Sequence, residues 1–193
     1  MKALNVSLTF TEELLGTASA DPKIHEEFIA SKSPDARTTE EEIEALGTEA
    51  VVEKSITIFP KEDGKPFLYD YQIKGFFKDA CASLKRVPST LSAKVKAYKK
   101  IIDSTIFVDP RKVFFSNGAT IGECQRPLRA QTAQGERIAL AHSETIGAGA
   151  QINFTVLLLN PADEPILKEW LDYGRLRGLG QWRNSGKGRF TWQ

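Results

Sequence analysis

Gly178-Leu179-Gly180-Gln181-Trp182-Arg183-Asn184-Ser185-Gly186-Lys187-Gly188-Arg189-Phe190-Thr191-Trp192-Gln193 decides how this chain is to be read. Its end, Arg189-Phe190-Thr191-Trp192, alternates polar and apolar residues, the period-two pattern of a half-buried strand. The stretch holds four glycines, three cations (Arg183, Lys187, Arg189) and no carboxylate, and Arg175 and Arg177 stand just upstream. Such a segment leaves backbone N–H groups bare amid positive charge, the chemistry that holds phosphates. It is predicted to be an anion-binding loop leading into a strand. The competing readings are glycines that only serve tight turns, and a mobile basic terminus.

Working back from this stretch, Ile166, Leu167, Trp170, Leu171 and Leu176 give an apolar side to a helix over Glu164 to Leu176, capped by Asn160-Pro161-Ala162-Asp163. Ala150 to Leu159, Arg137 to His142 and Arg126 to Gln131 are strand-like, and Val156-Leu157-Leu158-Leu159 reads as central strand. At the other end Leu4, Val6, Leu8 and Phe10 alternate with polar residues, a strand with one buried face. Val51 to Phe59 and Phe67 to Tyr69 flank the hairpin signature Asp63-Gly64. Ile73, Phe76, Phe77, Ala80, Cys81 and Leu84 then form one full apolar stripe of a helix, with Lys74, Lys78, Lys85 and Arg86 off it. Leu91, Val95, Tyr98 and Ile102 suggest a further helix, and Ser104 to Val108 and Val113 to Phe115 two more strands.

Residues 17–55 are acid-rich and poor in large apolar residues, with short helices suggested at Pro22 to Ala30 and Thr39 to Leu46. They read as an acidic helical insertion after the first strand. Without them the order is βαββαβ, so the predicted fold is α+β and ferredoxin-like. That is one domain over residues 1–193: an antiparallel sheet with helices on one face and the other face open, a platform on which single-stranded RNA is often laid.

Composition narrows the function classes. Hydrophobic residues make up 41% and charged residues 26% of 193, as in an ordinary globular protein. No apolar run approaches the ~18 residues of a membrane span, and no apolar signal-peptide body follows Met1-Lys2, so a cytoplasmic protein without a membrane partner is expected. Cys81 and Cys124 cannot make a disulfide framework and read as buried thiols. The net charge of +1 hides an asymmetry. Glu12 to Asp63 carries fourteen acids against five bases, Lys65 to Lys112 eleven bases against four acids, and five bases with no acid follow Asp172. Basic stretches of this kind point to a nucleic-acid partner.

Several chemistries are excluded by spacing. Gly180 and Gly186 stand too far apart for a nucleotide-binding P-loop, Gly188 replaces its Ser or Thr, and a strand rather than a helix follows. Gly178-Leu179-Gly180 lacks the third glycine of a dinucleotide fingerprint. No Cys-x-x-Cys, His-x-x-x-His or paired aspartates supply a metal site, and no cofactor is implied. His25 and His142 are the two histidines, each a candidate general base towards a ribose 2′-OH, against the blander reading of surface or structural histidines. The candidate nucleic-acid contacts are Lys74, Arg126, Arg129, Arg175, Arg177, Gly178, Gly180, Trp182, Arg183, Gly186, Lys187, Gly188 and Arg189. Guanidinium forks clamp phosphates, glycines admit the backbone, and an indole stacks on an unpaired base.

Three segments resemble, in order, the RAMP superfamily, the RRM-like subunits that build CRISPR effector complexes. Leu8-Thr9-Phe10-Thr11-Glu12-Glu13-Leu14-Leu15-Gly16 resembles the opening strand and its glycine turn. Asp63 to Lys78, with Ile73-Lys74-Gly75, is similar to the entry into the first helix, although Tyr69-Asp70-Tyr71-Gln72 stands where the family has Pro-Gly-Ser-Ser. Gly174-Arg175-Leu176-Arg177-Gly178-Leu179-Gly180 through Phe190 resembles the glycine-rich loop before the last strand. The chain also resembles small proteins of phages and prophages. The resemblance implies a non-catalytic protein that binds single-stranded nucleic acid, RNA before DNA, and forms an oligomer along the strand or packs beside RAMP-like partner subunits. Some family members cut RNA with an aspartate after the first strand, where this chain has Asp21. A metal-independent endoribonuclease using His142, His25 or Asp21, and a phage protein that interferes with a host defence complex, stay open as alternatives.

Overall fold

The computed structural model describes residues 1–19, 56–116, 119–132 and 135–193. The predicted acidic insertion therefore lies outside the described residues from 20 onward, with its two helices, Asp21 and His25. In chain order the elements are β1 (Lys2–Phe10), β2 (Leu14–Leu15), β3 (Ala18–Ser19), β4 (Thr57–Ile58), β5 (Lys61–Glu62), β6 (Lys65–Tyr69) and α1 (Asp70–Leu84). There follow α2 (Tyr98–Thr105), β7 (Ile106–Asp109), β8 (Lys112–Phe114), β9 (Ile121–Thr132) and β10 (Gly135–Ile146). The last three are β11 (Gln151–Leu158), α3 (Glu164–Arg177) and β12 (Phe190–Trp192). The fold is mixed α and β, and it divides into two compact units: residues 1–14, 60–121 and 146–193, and residues 15–59 and 122–145.

The first unit is built on a four-stranded sheet in the order β12-β1-β11-β7. Every neighbouring pair is antiparallel, with Val6 opposite Phe154, Thr9 opposite Thr191 and Val156 opposite Val108. Alternation puts Val6, Leu8, Phe10, Ile152, Phe154, Val156, Leu158, Ile106 and Phe190 on the buried face, none more than 4% exposed. α1 and α3 close that face. The α1 stripe is buried at Ile73, Phe76, Phe77, Ala80 and Cys81, and Phe76 meets Phe190 edge-on at 5.1 Å. α3 contributes Leu167, Trp170 and Leu171, Trp170 lying 6.0 Å from Phe77. A small sheet, β5-β6-β8, lies in the same unit, its β5-β6 hairpin preceding α1, and the hairpin turn has positive φ at both Asp63 (51°) and Gly64 (75°).

Two helix readings are corrected. Leu176 is not core: it is 60% exposed, and Gly174 holds the buried place on α3. A helix repeats its buried positions every three to four residues, so Leu167, Trp170 and Leu171 lead to position 174. Only glycine fits there, because a Cβ would run into the Phe190 ring. Nor is Leu91 to Ile102 one helix. A single 3-10 turn, Ser92–Lys94, is followed by extended Val95 and by Ala97 at φ 49°, and α2 begins only at Tyr98. The turn is pinned to α3: the Glu169 carboxylate accepts from Leu91 N (2.7 Å), Ser92 N (3.0 Å) and Ser92 Oγ (2.6 Å), and Trp170 Nε1 donates to Ser92 Oγ at 2.9 Å. An anchored turn cannot also follow the axis of α2.

The second unit holds β9 paired with β10, and the sheet continues β10-β4-β3. β4 runs parallel to β10, with Thr57 opposite Ser143 and their hydroxyls 2.8 Å apart. The Glu144 carboxylate accepts the Phe59 N–H at 2.8 Å, and the Glu144 carbonyl accepts that of Gly16 at 2.8 Å. Of the cysteines, Cys81 is buried and Cys124, on β9, is half-buried.

Candidate nucleic-acid interface

The residues between α3 and β12 form a pinned loop, not a mobile terminus. Leu179, 2% exposed, donates its N–H to Gly188 O at 2.9 Å, and Gly188 N donates to Glu13 O at 2.8 Å. Gly178 N closes α3 on Gly174 O (3.0 Å), and Thr11 N donates to Arg189 O (2.8 Å). At the two places where the loop's arms touch, only glycine fits. Gly178 has φ 77° and its Cβ would lie 2.5 Å from Lys187 O; Gly188 has φ 70° and its Cβ would fall on the Leu179 carbonyl. Gly180 (φ 83°) and Gly186 (φ 87°) also turn through the left-handed region.

Part of the loop's backbone is engaged within the protein. The N–H groups of Gly178, Leu179, Ser185, Gly186 and Gly188 all donate to carbonyls of the protein. The loop's charge is carried by its side chains. Arg177 grips Asp79 through Nε (2.9 Å to Oδ2) and Nη2 (3.4 Å to Oδ1), and its Nη1 donates to Asn184 Oδ1 at 2.9 Å. Arg183 Nη1 reaches the same Asp79 Oδ2 at 2.8 Å. The hydrogen bond to Asp79 raises the already high pKa of Arg177, which is charged at any working pH. Lys187 pairs with Glu13, and its Nζ also lies 6.0 Å over the ring of Trp182. Trp182 is 41% exposed. Arg175 and Arg189 are exposed and have no ion pair among the described residues.

The remaining candidates belong to other elements. Lys74, on α1, donates to Asp103 O at 3.2 Å and covers the Phe107 ring at 5.0 Å, turned towards α2. Arg126 and Arg129 are on β9 in the second unit, Arg126 half-buried. His142 is half-buried on β10 and makes no hydrogen bond to another described side chain. Among the described residues no three His, Cys, Asp or Glu side chains gather as metal ligands, and no described helix is long and apolar enough to cross a membrane.

The open face of the four-stranded sheet differs from the expected platform. Its outward residues on the two central strands are Asn5, Ser7 and Thr9 on β1, opposite Thr155, Asn153 and Gln151 on β11, and on the edge strand β7 Phe107, opposite Leu157, is 42% exposed. Thr155 Oγ1 donates to Asn5 Oδ1 (3.0 Å) and Gln151 Nε2 to Thr9 Oγ1 (3.3 Å). A shallow groove of about 520 Å³ over this face adds Asp109 and Gln193. The central positions carry neither the rings nor the cations by which sheets hold single strands; at the β7 edge, Phe107 lies under Lys74 Nζ.

Sequence reasoning missed Asp79 and Glu13, the acids that organise the loop. Asp79 had a faint signal, a lone acid among Lys74, Lys78, Lys85 and Arg86 on an otherwise basic helix face.

No protein-family model matches the sequence, and no curated protein matches it. In three dimensions the chain is similar to a chain in the structure of a type III-B Cmr-beta complex bound to cognate target RNA, at TM-score 0.56 and 12% identity, over 99% of this chain and 58% of that one. It thus spans little more than half the length of that neighbour. It is also similar to a chain of a type IV-B CRISPR complex (TM-score 0.46, 11% identity, 100% of this chain and 90% of that one). Cmr6 from Pyrococcus furiosus is a further similar structure (TM-score 0.49, 10% identity, 98% and 97%). At these identities the first likeness is one of fold.

Proposed function

We propose that this protein is a RAMP-type subunit of the kind that builds CRISPR effector complexes, holding single-stranded RNA without cutting it. The first unit supports this reading. Its antiparallel strand order β12-β1-β11-β7, with α1 after β1 and α3 between β11 and β12, fits the ferredoxin-like βαββαβ plan. The fold likeness to a chain from an RNA-bound complex points the same way. On this reading residues 1–193 are one RAMP-like domain, with 17–55 as an acidic insertion. Copies pack side by side along the strand or beside partner subunits, the insertion facing the basic surface of the next.

The observation that carries the proposal is the glycine-closed loop between α3 and β12, which bears exposed Arg189 and Trp182 and follows exposed Arg175 in the last turn of α3. Cations on a fixed frame bind a phosphate backbone, and a half-exposed indole stacks on a base. Anisotropy with labelled single-stranded RNA and DNA tests it. Binding at low salt is expected to weaken with salt at a log–log slope of about −0.7 per phosphate contact. The double variant Arg175→Ala/Arg189→Ala is expected to flatten that slope by about 1.4. Absence of binding at low salt would sink the proposal. The same RNA incubated in EDTA stays intact; cleavage lost in His142→Ala would put the ribonuclease in its place. A host complex captured from lysate equally well after nuclease treatment would favour interference instead.

A further inference from the structure

We infer that Asp79 is a positioning residue of this interface, the carboxylate that fixes where the Arg177 and Arg183 guanidinium groups stand. The inference rests on the nucleic-acid reading and names the group on which that site turns. Asp79 belongs to α1, the Arg177 side chain leaves the last residue of α3, and Arg183 opens the loop's own 3-10 turn, Arg183–Ser185. One carboxylate thus ties the loop to both helices. The neighbouring cation on α1, Lys78, does not compete for it, because Lys78 pairs with Asp103 at 2.5 Å. All three side chains are about one-quarter exposed (26% for Asp79, 27% for Arg177, 26% for Arg183), so the cluster is at the surface but not freely rotating.

The cluster does not neutralise itself. Two guanidinium groups on one carboxylate leave an excess of one positive charge. Arg183 uses only Nη1 on Asp79, so the rest of its fork of donors is held in one direction for an outside anion. Asn184, held by Arg177 at 2.9 Å, fixes the same turn from its next residue. Without Asp79 the two like charges repel, and the turn that carries Arg183 loses its ion pair to α1.

This gives a test whose sign is unusual. Removing an acid beside a nucleic-acid site ordinarily strengthens binding, because net positive charge rises. If Asp79 positions the arginines, Asp79→Ala weakens binding of labelled single-stranded RNA by roughly tenfold, and Asp79→Asn, isosteric but uncharged, by a smaller factor. Glu123→Gln, which removes an exposed acid in the second unit, is the charge control and binds as well as wild type or better. Thermal unfolding of each variant is read alongside, and Asp79→Asn serves should Asp79→Ala fail to fold. Asp79 variants that bind as tightly as wild type or tighter overturn the inference while leaving the nucleic-acid reading standing. A lowered Tm with unchanged affinity overturns it equally, since that is the mark of a merely structural ion pair. A wild-type protein that binds no strand overturns both.

Discussion

At the scale of single residues, Gly188 shows how tightly the loop is specified. Its backbone is left-handed, and any Cβ would collide with the carbonyl of Leu179, whose own N–H donates back to Gly188. Gly188→Ala should cost about 1–3 kcal/mol, or roughly 2–4 °C of Tm per kcal/mol in a chain of this size. Gly64→Ala is the comparison: φ is equally positive at 75°, but nothing lies within 4 Å, so a smaller loss is expected in the same melting experiment. The glycines were legible in the sequence as a loop between helix and strand. Their purpose was not, because composition does not reveal that Gly188 N donates to Glu13 O, far away in the chain. The same holds for Asp79: a single carboxylate among lysines reads as a solvated charge until Arg177 and Arg183 are placed around it.

At the scale of elements, periodicity read α1 well because five of its six stripe residues are fully buried, Leu84 alone being half-exposed. It failed on α3, where a glycine fills a core position opposite Phe190 and a leucine two residues later does not. It failed again at Leu91 to Ile102, where hydrogen bonds from the turn to Glu169 override the apolar repeat. The α1 core makes a chemical prediction. Burial pushes the Cys81 thiol up from its ordinary value, against the opposing pull of Ser92 and Lys85. A thiol reagent should therefore modify Cys124 and spare Cys81 in the native protein, and modify both after denaturation. The sign of the pH effect follows. A thiol raised in the folded state contributes stability that is full below the unfolded pKa of about 8.5 and is lost as pH rises towards the folded value. Tm should fall on the alkaline side, and less steeply in Cys81→Ala.

At the scale of the molecule, the question is which surface of the first unit meets the strand. The central strands of the expected platform, the open sheet face, present Asn5, Ser7, Thr9, Gln151, Asn153 and Thr155, of which Asn5 with Thr155 and Thr9 with Gln151 hydrogen-bond across β1 and β11; Phe107 stands at the β7 edge, and the groove includes Asp109. A phosphate backbone gains little from neutral hydroxyls and amides and is repelled by a carboxylate. The loop carries exposed Arg189 and Trp182 on a frame closed by backbone hydrogen bonds, and exposed Arg175 stands in the last turn of α3. The alternation of β1 and β11 made the face legible in the sequence, but its chemistry had to be read position by position. If the strand lies on the loop, Ser7→Ala/Asn153→Ala will bind labelled single-stranded RNA within about twofold of wild type, with an unchanged salt slope. Arg175→Ala/Arg189→Ala, titrated under the same conditions, will lose both affinity and slope. The reverse pattern, with loss in the sheet-face variant and none in the loop variant, would move the interface to the sheet and leave the arginines as ordinary surface charge.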